Sequence, residues 1–125
     1  MKKFNSLHFD IADVLIDCAK NKKTICYSDL CEKVQYPSLH QIGKELEKIS
    51  LFTYEKYGVF LSVLVVQKET QNSDNPTPSS GFFTMYLEKY NKPNLNLTDE
   101  VRTQREKAFN QDWSELLNLM REEIK

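Results

Sequence analysis

Lys23-Thr24-Ile25-Cys26-Tyr27-Ser28-Asp29-Leu30, then Ser38-Leu39-His40-Gln41-Ile42-Gly43-Lys44-Glu45-Leu46, then Phe60-Leu61-Ser62-Val63-Leu64-Val65-Val66 decide how this chain is read. Thr24-Ile25-Cys26-Tyr27 is a short β-prone segment, and Ser28 can cap a helix over 29–34 whose apolar residues are Leu30, Cys31 and Val34. Tyr36-Pro37 stops that helix, because the residue before a proline avoids helical geometry. Ser38 with Gln41 three residues later has the form of a capping box, and a third helix follows with Leu39, Ile42, Leu46 and Ile49 inward. Gly43 lies inside it, where glycine costs about 1 kcal/mol against alanine, which suggests close approach to another backbone such as helix 2. Residues 51–58 either extend this helix or form a loop. The apolar run over 60–67 reads as a strand buried on both faces, or as one arm of a tight hairpin. Residues 69–80 hold no apolar side chain and read as an exposed, wing-like loop. The order is helix, turn, helix, strand, wing.

The flanks add helices. Leu7, Ile11, Val14, Leu15 and Cys18 recur at helical spacing, with Asp10, Asp13 and Asp17 opposite, Asn5 or Ser6 as cap, and Asn21-Lys22-Lys23 as the end. Phe82, Phe83, Tyr86 and Leu87 restart a helical pattern that stops before Pro93, and 91–96 reads as a linker. Thr98 caps a last helix over 98–124, complemented by Asp99 and Glu100. At 1.5 Å per residue that helix would be about 40 Å long, more than a small core needs. The expectation is therefore an α+β fold: a mainly helical, winged helix-turn-helix in one domain over 1–125, with its core at 23–83, a short β-hairpin or wing at 69–80, and a long C-terminal helix.

The composition is that of an ordinary globular domain, 40% hydrophobic and 28% charged in 125 residues. A net charge of -1 gives no global basic field, so any attraction to nucleic acid must come from a local patch. No apolar run is long enough to span a bilayer, and Asp10 and Asp13 interrupt any secretory leader. The expected compartment is the cytoplasm, with no membrane partner. The cysteines Cys18, Cys26 and Cys31 are odd in number and form no Cys-x-x-Cys pair, and His8 and His40 stand at no finger spacing. Buried structural thiols are expected, with no metal and no cofactor.

The order Thr-x-x-Tyr-Ser-x-Leu from Thr24, then Ile42-Gly43-x-x-Leu46, then a strand ending Val65-Val66, resembles the C-terminal winged-helix domain of alkylguanine-DNA alkyltransferases and alkyltransferase-like proteins. The resemblance covers residues 23–81 and extends to small bacterial and phage proteins that share Gly81-Phe82-Phe83. It implies DNA binding through the third helix and the wing. It does not imply the chemistry. Where the family carries Pro-Cys-His-Arg-Val-Val, this chain has Ser62 for the alkyl-accepting cysteine, with Val63 and Leu64 for the histidine and arginine. Alkyl transfer needs a thiolate beside a basic group, so no catalytic residue is assigned and no enzyme is expected. The arginine that fills the gap left by a flipped base aligns with His40, and the tyrosine near the flipped nucleotide's phosphate aligns with Tyr27.

Two partner classes follow. A nucleic acid would meet Tyr27, Ser38, His40, Gln41, Lys44 and Lys48. Glu45 and Glu47 interleave with the lysines, the pattern of a solvated face, and Tyr27 can equally pack its ring behind helix 2. A protein partner, or a second copy of the chain in a homodimer, would dock on Phe109, Trp113, Leu117 and Met120 of the last helix, since tryptophan and methionine are enriched in interface cores.

Overall fold

The computed structural model describes residues 4–37, 41–73, 76–78 and 97–123. They form a mainly helical α+β fold: α1 Ser6–Lys20, β1 Ile25–Cys26, α2 Tyr27–Val34, α3 Ile42–Tyr57, a 3-10 turn Leu61–Leu64, β2 Val65–Val66, a second 3-10 turn Lys68–Thr70, α4 Leu97–Asn110 and α5 Leu116–Glu122. The helical pattern expected to restart at Phe82 and stop before Pro93, and the linker at 91–96, lie outside the described residues. Among the described residues, no helix is long and apolar enough to cross a membrane.

Helix α1 is the hub and packs against α2, α3, α4, α5 and the first 3-10 turn. Its buried face is His8, Ile11, Ala12, Leu15 and Ala19, one position round from the expected stripe, so that Leu7, Val14 and Cys18 are half-buried. Asn5 caps it reciprocally with His8: the His8 N–H donates to Asn5 Oδ1 at 3.3 Å, and the Asn5 N–H donates to His8 Nδ1 at 3.0 Å. Phe4 then folds back onto Phe52 of α3, edge to face at 5.1 Å between ring centroids.

Helix α3 buries Ile42, Leu46 and Ile49 as expected, and residues 51–57 continue it. Gly58 ends it in the left-handed region at φ 74°, its N–H on Tyr54 O at 2.8 Å. Two local expectations fail. Gly43 is exposed and, among the described residues, nothing lies within 4 Å of where its Cβ would stand, so it marks no close approach to helix 2. Helix α2 starts at Tyr27 with Cys26 as cap residue, earlier than a Ser28 cap would place it, and ends at Gln35 in the left-handed region.

The apolar run 60–66 is buried throughout, yet only Val65 and Val66 form a strand. The reason is where its backbone donors go. The Phe60 N–H donates to Gln104 Oε1 (2.9 Å), Leu61 N–H to Thr53 Oγ1 (3.1 Å) and Ser62 N–H to Ser50 Oγ (2.8 Å), all buried side chains of α3 and α4. Thr53 Oγ1 donates to Val59 O at 2.7 Å, and Ser50 Oγ donates to Ser62 Oγ at 2.6 Å. Side chains thus satisfy the groups a sheet neighbour would otherwise take, and the chain closes into a 3-10 turn.

Most of the chain that would form the return arm of the expected hairpin lies outside the described residues, and among the described residues the sheet is a different pair. β2 pairs with β1 in parallel, Ile25 opposite Val65 and Cys26 opposite Val66. Parallel neighbours need a crossover, and here α2 and α3 supply it. The loop after β2 is not simply exposed. Gln67 N–H donates to Thr77 O (2.8 Å), Thr77 N–H to Thr70 Oγ1 (3.0 Å), Gln67 Nε2 to Pro78 O (3.1 Å), and Arg105 of α4 donates to Pro76 O. Pro76 and Pro78 have no N–H of their own to satisfy, so each needs only its carbonyl bonded.

The single C-terminal helix over 98–124 is two helices. Between α4 and α5 the Trp113 indole turns inward, and its Nε1 donates to Ala108 O at 2.8 Å, satisfying a carbonyl in the last turn of α4. Asp112 Oδ1 accepts the Ser114 N–H at 2.9 Å and holds the turn. Phe109, Trp113, Leu116, Leu117 and Met120 keep helical spacing across this break, which is why the periodicity conceals it.

Candidate nucleic-acid interface

Helix α3 brings together three of the residues expected to meet nucleic acid, Gln41, Lys44 and Lys48. Its core face is fixed by Ile42, Leu46, Ile49 and Thr53, all buried. The opposite side is exposed, and Gln41, Lys44 and Lys48, spaced by three and four, share one row on it. Gln41 is the residue that precedes the first helical position, and it receives a hydrogen bond from the Tyr36 hydroxyl at 3.4 Å. The expected Ser38–Gln41 capping box lies partly outside the described residues, as Ser38 and His40 do. Tyr27 sits apart from this row, in the first turn of α2, half-buried and packed against the core.

The acidic residues around the row are not equivalent. Glu47 and Glu55 are exposed. Glu45, next to Lys44 in sequence, is turned about 100° round the helix from it. Its carboxylate bonds the Nε2 of His8, whose side chain is only 3% exposed. Because Nδ1 of the same ring accepts the Asn5 N–H, the ring proton sits on Nε2 and points at Glu45. One acid is thereby drawn off the lysine row and tied to the start of α1. Lys48 Nζ lies 5.9 Å from the centroid of the Phe4 ring, a cation–π approach at the same junction. His8 and Glu45 were missed in the sequence because a lone histidine on an apolar helix face carries no spacing signal. The Asn5-x-x-His8 spacing, which places a ring acceptor at the third helical position, was the available clue.

Elsewhere the chemistry is muted. A groove of about 890 Å³ between α1 and α2 is lined by Asp13, Asp17, Asp29, Glu32, Lys23 and Lys33, with Cys18 on its wall. Burial, and then the Asp17 carboxylate, push the Cys18 thiol up, against the weaker opposing pull of Lys33 and Lys23. Burial also raises Cys31. Both effects disfavour a thiolate. Among the described residues no group of His, Cys, Asp and Glu is placed to hold a metal ion. Ser62, at the position of the alkyl-accepting cysteine in the resemblance, is buried and bonded to Ser50. Arg105 is buried, and that burial, with Arg102 nearby, lowers its pKa while it holds the 76–78 loop.

The expected protein-docking residues divide. Trp113 (4% exposed) and Met120 (0%) belong to the chain's own core, a correction to their reading as interface, since α5 folds back against α1 instead of extending α4 into solvent. Trp113 also meets Tyr57 edge to face at 4.8 Å. Phe109 and Leu117 remain half-exposed at the edge of that core. The chain matches no family model, no curated protein and no solved structure.

Proposed function

We propose that this chain is a non-enzymatic, winged helix-turn-helix binding module that contacts nucleic acid through α3. The observation that carries the reading is the exposed Gln41, Lys44, Lys48 row, with Glu45 withdrawn from it by His8. Three supports accompany it. α2 and α3 follow one another across a short connection, and α3 is held rigidly by α1 and the 60–64 turn, as a reading helix must be. The row offers hydrogen-bond donors and two positive charges, which suit phosphate oxygens. Within the expected wing, residues 76–78 are tied to Gln67, Thr70 and Arg105, which supports a preorganised base for it.

Binding of fluorescent duplex and single-stranded DNA, followed by anisotropy at low and moderate salt, tests the proposal. Micromolar binding that weakens steeply as salt rises is expected, because a local basic row works by counterion release. Absence of salt-dependent binding at micromolar protein overturns it. A protein-docking reading draws on the half-exposed Phe109 and Leu117 beside the core. Light scattering that returns a strict monomer would remove its self-association form.

A further inference from the structure

His8 is a buried, titratable side chain whose neutral form alone has entered the account so far. Its ring is engaged at both nitrogens. Nδ1 accepts the Asn5 N–H at 3.0 Å and closes the cap of α1, while Nε2 carries the proton that meets the Glu45 carboxylate. In that state the pair bears one negative charge. The Glu45 side chain is 29% exposed, so that charge is felt at the surface. Glu45 and Lys48 are three residues apart and therefore neighbours on the face of α3. Histidine is the side chain type that changes charge between about pH 5 and pH 8. A further proton can enter this ring only at Nδ1, where it displaces the Asn5 N–H, because a protonated ring has no acceptor. Asn5 is exposed, so water can take its donor. The pair then carries no net charge, and the negative end of the lysine row is cancelled.

The other charges near this junction are held at a distance. From α3, Lys48 lies over the Phe4 ring at 5.9 Å and Lys56 over the Phe52 ring at 5.6 Å. From α5, Arg121 lies over Phe9 at 5.8 Å, on the residue after His8. Asp29, Glu32 and Lys33 of α2 line the α1–α2 groove, and Arg105 of α4 is turned to Pro76. Glu45 is the carboxylate that touches the ring.

From this junction we infer that His8 is a proton-operated regulator of the α3 row: its protonation neutralises Glu45 and strengthens the binding of nucleic acid there. The inference rests on the nucleic-acid reading above and adds to it a control by pH. A proton on His8 offsets the repulsion between Glu45 and phosphates, so affinity rises as pH falls. By linkage, bound nucleic acid favours the proton on His8 to the same extent.

The test is anisotropy with a fluorescent duplex at fixed ionic strength from pH 8 to pH 5, on the natural chain, His8→Gln and Glu45→Gln. Glutamine at position 8 keeps an acceptor for the Asn5 N–H and a donor for Glu45, but does not titrate. His40 is present in all three proteins, so its own titration cancels in the comparison. At pH 8 the natural chain and His8→Gln should bind alike. As pH falls to 5, the natural chain should gain on His8→Gln by about 2- to 5-fold, the effect of one charge acting over several ångströms through a solvated surface. Glu45→Gln should bind more tightly than the natural chain at pH 8 by a similar factor, and that gap should close towards pH 5. The second comparison decides the matter if His8→Gln does not fold. Parallel curves for the natural chain and His8→Gln, or a Glu45→Gln protein with no advantage at pH 8, overturn the inference and leave the nucleic-acid reading standing. No salt-dependent binding by the natural chain at any pH overturns both.

Discussion

Ser62 shows how a residue's partners set what it can do. Its hydroxyl receives the Ser50 proton and its N–H donates to the same Ser50 oxygen, so both polar groups are spent inside the core. Ser50→Ala would leave the Ser62 N–H and hydroxyl buried without those bonds. Unfolding in urea should show a loss of about 1–3 kcal/mol, the desolvation cost of orphaned polar groups. A loss of a few tenths would mean that the 60–64 turn is held by packing alone. Asp112 carries a different signal. Its bonds from the Ser114 backbone, then from the Ser114 side chain, lower its pKa in the folded chain. A lowered carboxyl contributes stability that is fully present above the unfolded value of about 4, and that is lost as pH falls through the folded value. Asp112→Asn keeps an acceptor for Ser114 but does not titrate. The melting temperature of the natural chain, measured against Asp112→Asn, should therefore decline between about pH 5 and pH 2. A difference that stays constant across that interval would mean the turn gains nothing from the charge.

Among the elements, helices were legible wherever one periodic face met a recognisable boundary. Ile42, Leu46 and Ile49 identify the core face of α3, and Asn21-Lys22-Lys23 marks the end of α1. What was not legible depends on partners distant in sequence. The 60–64 run looks like a strand until Ser50, Thr53 and Gln104 are seen to take its backbone donors. In the same way, the α4–α5 break is hidden by unbroken spacing and becomes intelligible only through the indole bond to Ala108 O. Of the candidate interface, Lys44 and Lys48 could be placed on one face from spacing alone, whereas the removal of Glu45 by His8 needed the packing of α1 on α3. Two substitutions probe these elements. Gly43 is exposed and, among the described residues, has nothing within 4 Å of its Cβ position, so Gly43→Ala should raise stability by about 0.5–1 kcal/mol through helix propensity, read as a higher denaturant midpoint with an unchanged slope. Destabilisation would reveal a close neighbour of α3 at that point. Trp113→Ala removes a buried indole, its ring packing on Tyr57 and a helix-end bond together. A loss of about 3–5 kcal/mol is expected from calorimetry or urea unfolding. Retention of the melting temperature would return Trp113 to the surface and to the interface reading.

Taken as one body, the protein is nearly neutral, with a net charge of -1, so it has no long-range field to gather a polyanion. On the proposed reading any recognition of nucleic acid is local, and the arrangement around α3 is local: two lysines and an amide in a row, a neighbouring carboxylate tied to a buried histidine, and residues 76–78 braced by Arg105 from α4. Helix α1 is common to these parts, since it holds His8 at one end and packs on every other helix described. The dependence of binding on salt measures the row itself and separates it from any diffuse attraction. In the natural chain, the logarithm of the duplex-DNA affinity should fall linearly with the logarithm of salt concentration. In a Lys44→Ala, Lys48→Ala protein that melts at the natural temperature, the steepness of that line should drop by about 1.8, close to 0.9 for each phosphate no longer neutralised. An identical slope in the two proteins, or no salt-dependent binding in either, would contradict the assignment of α3 as the helix that meets nucleic acid.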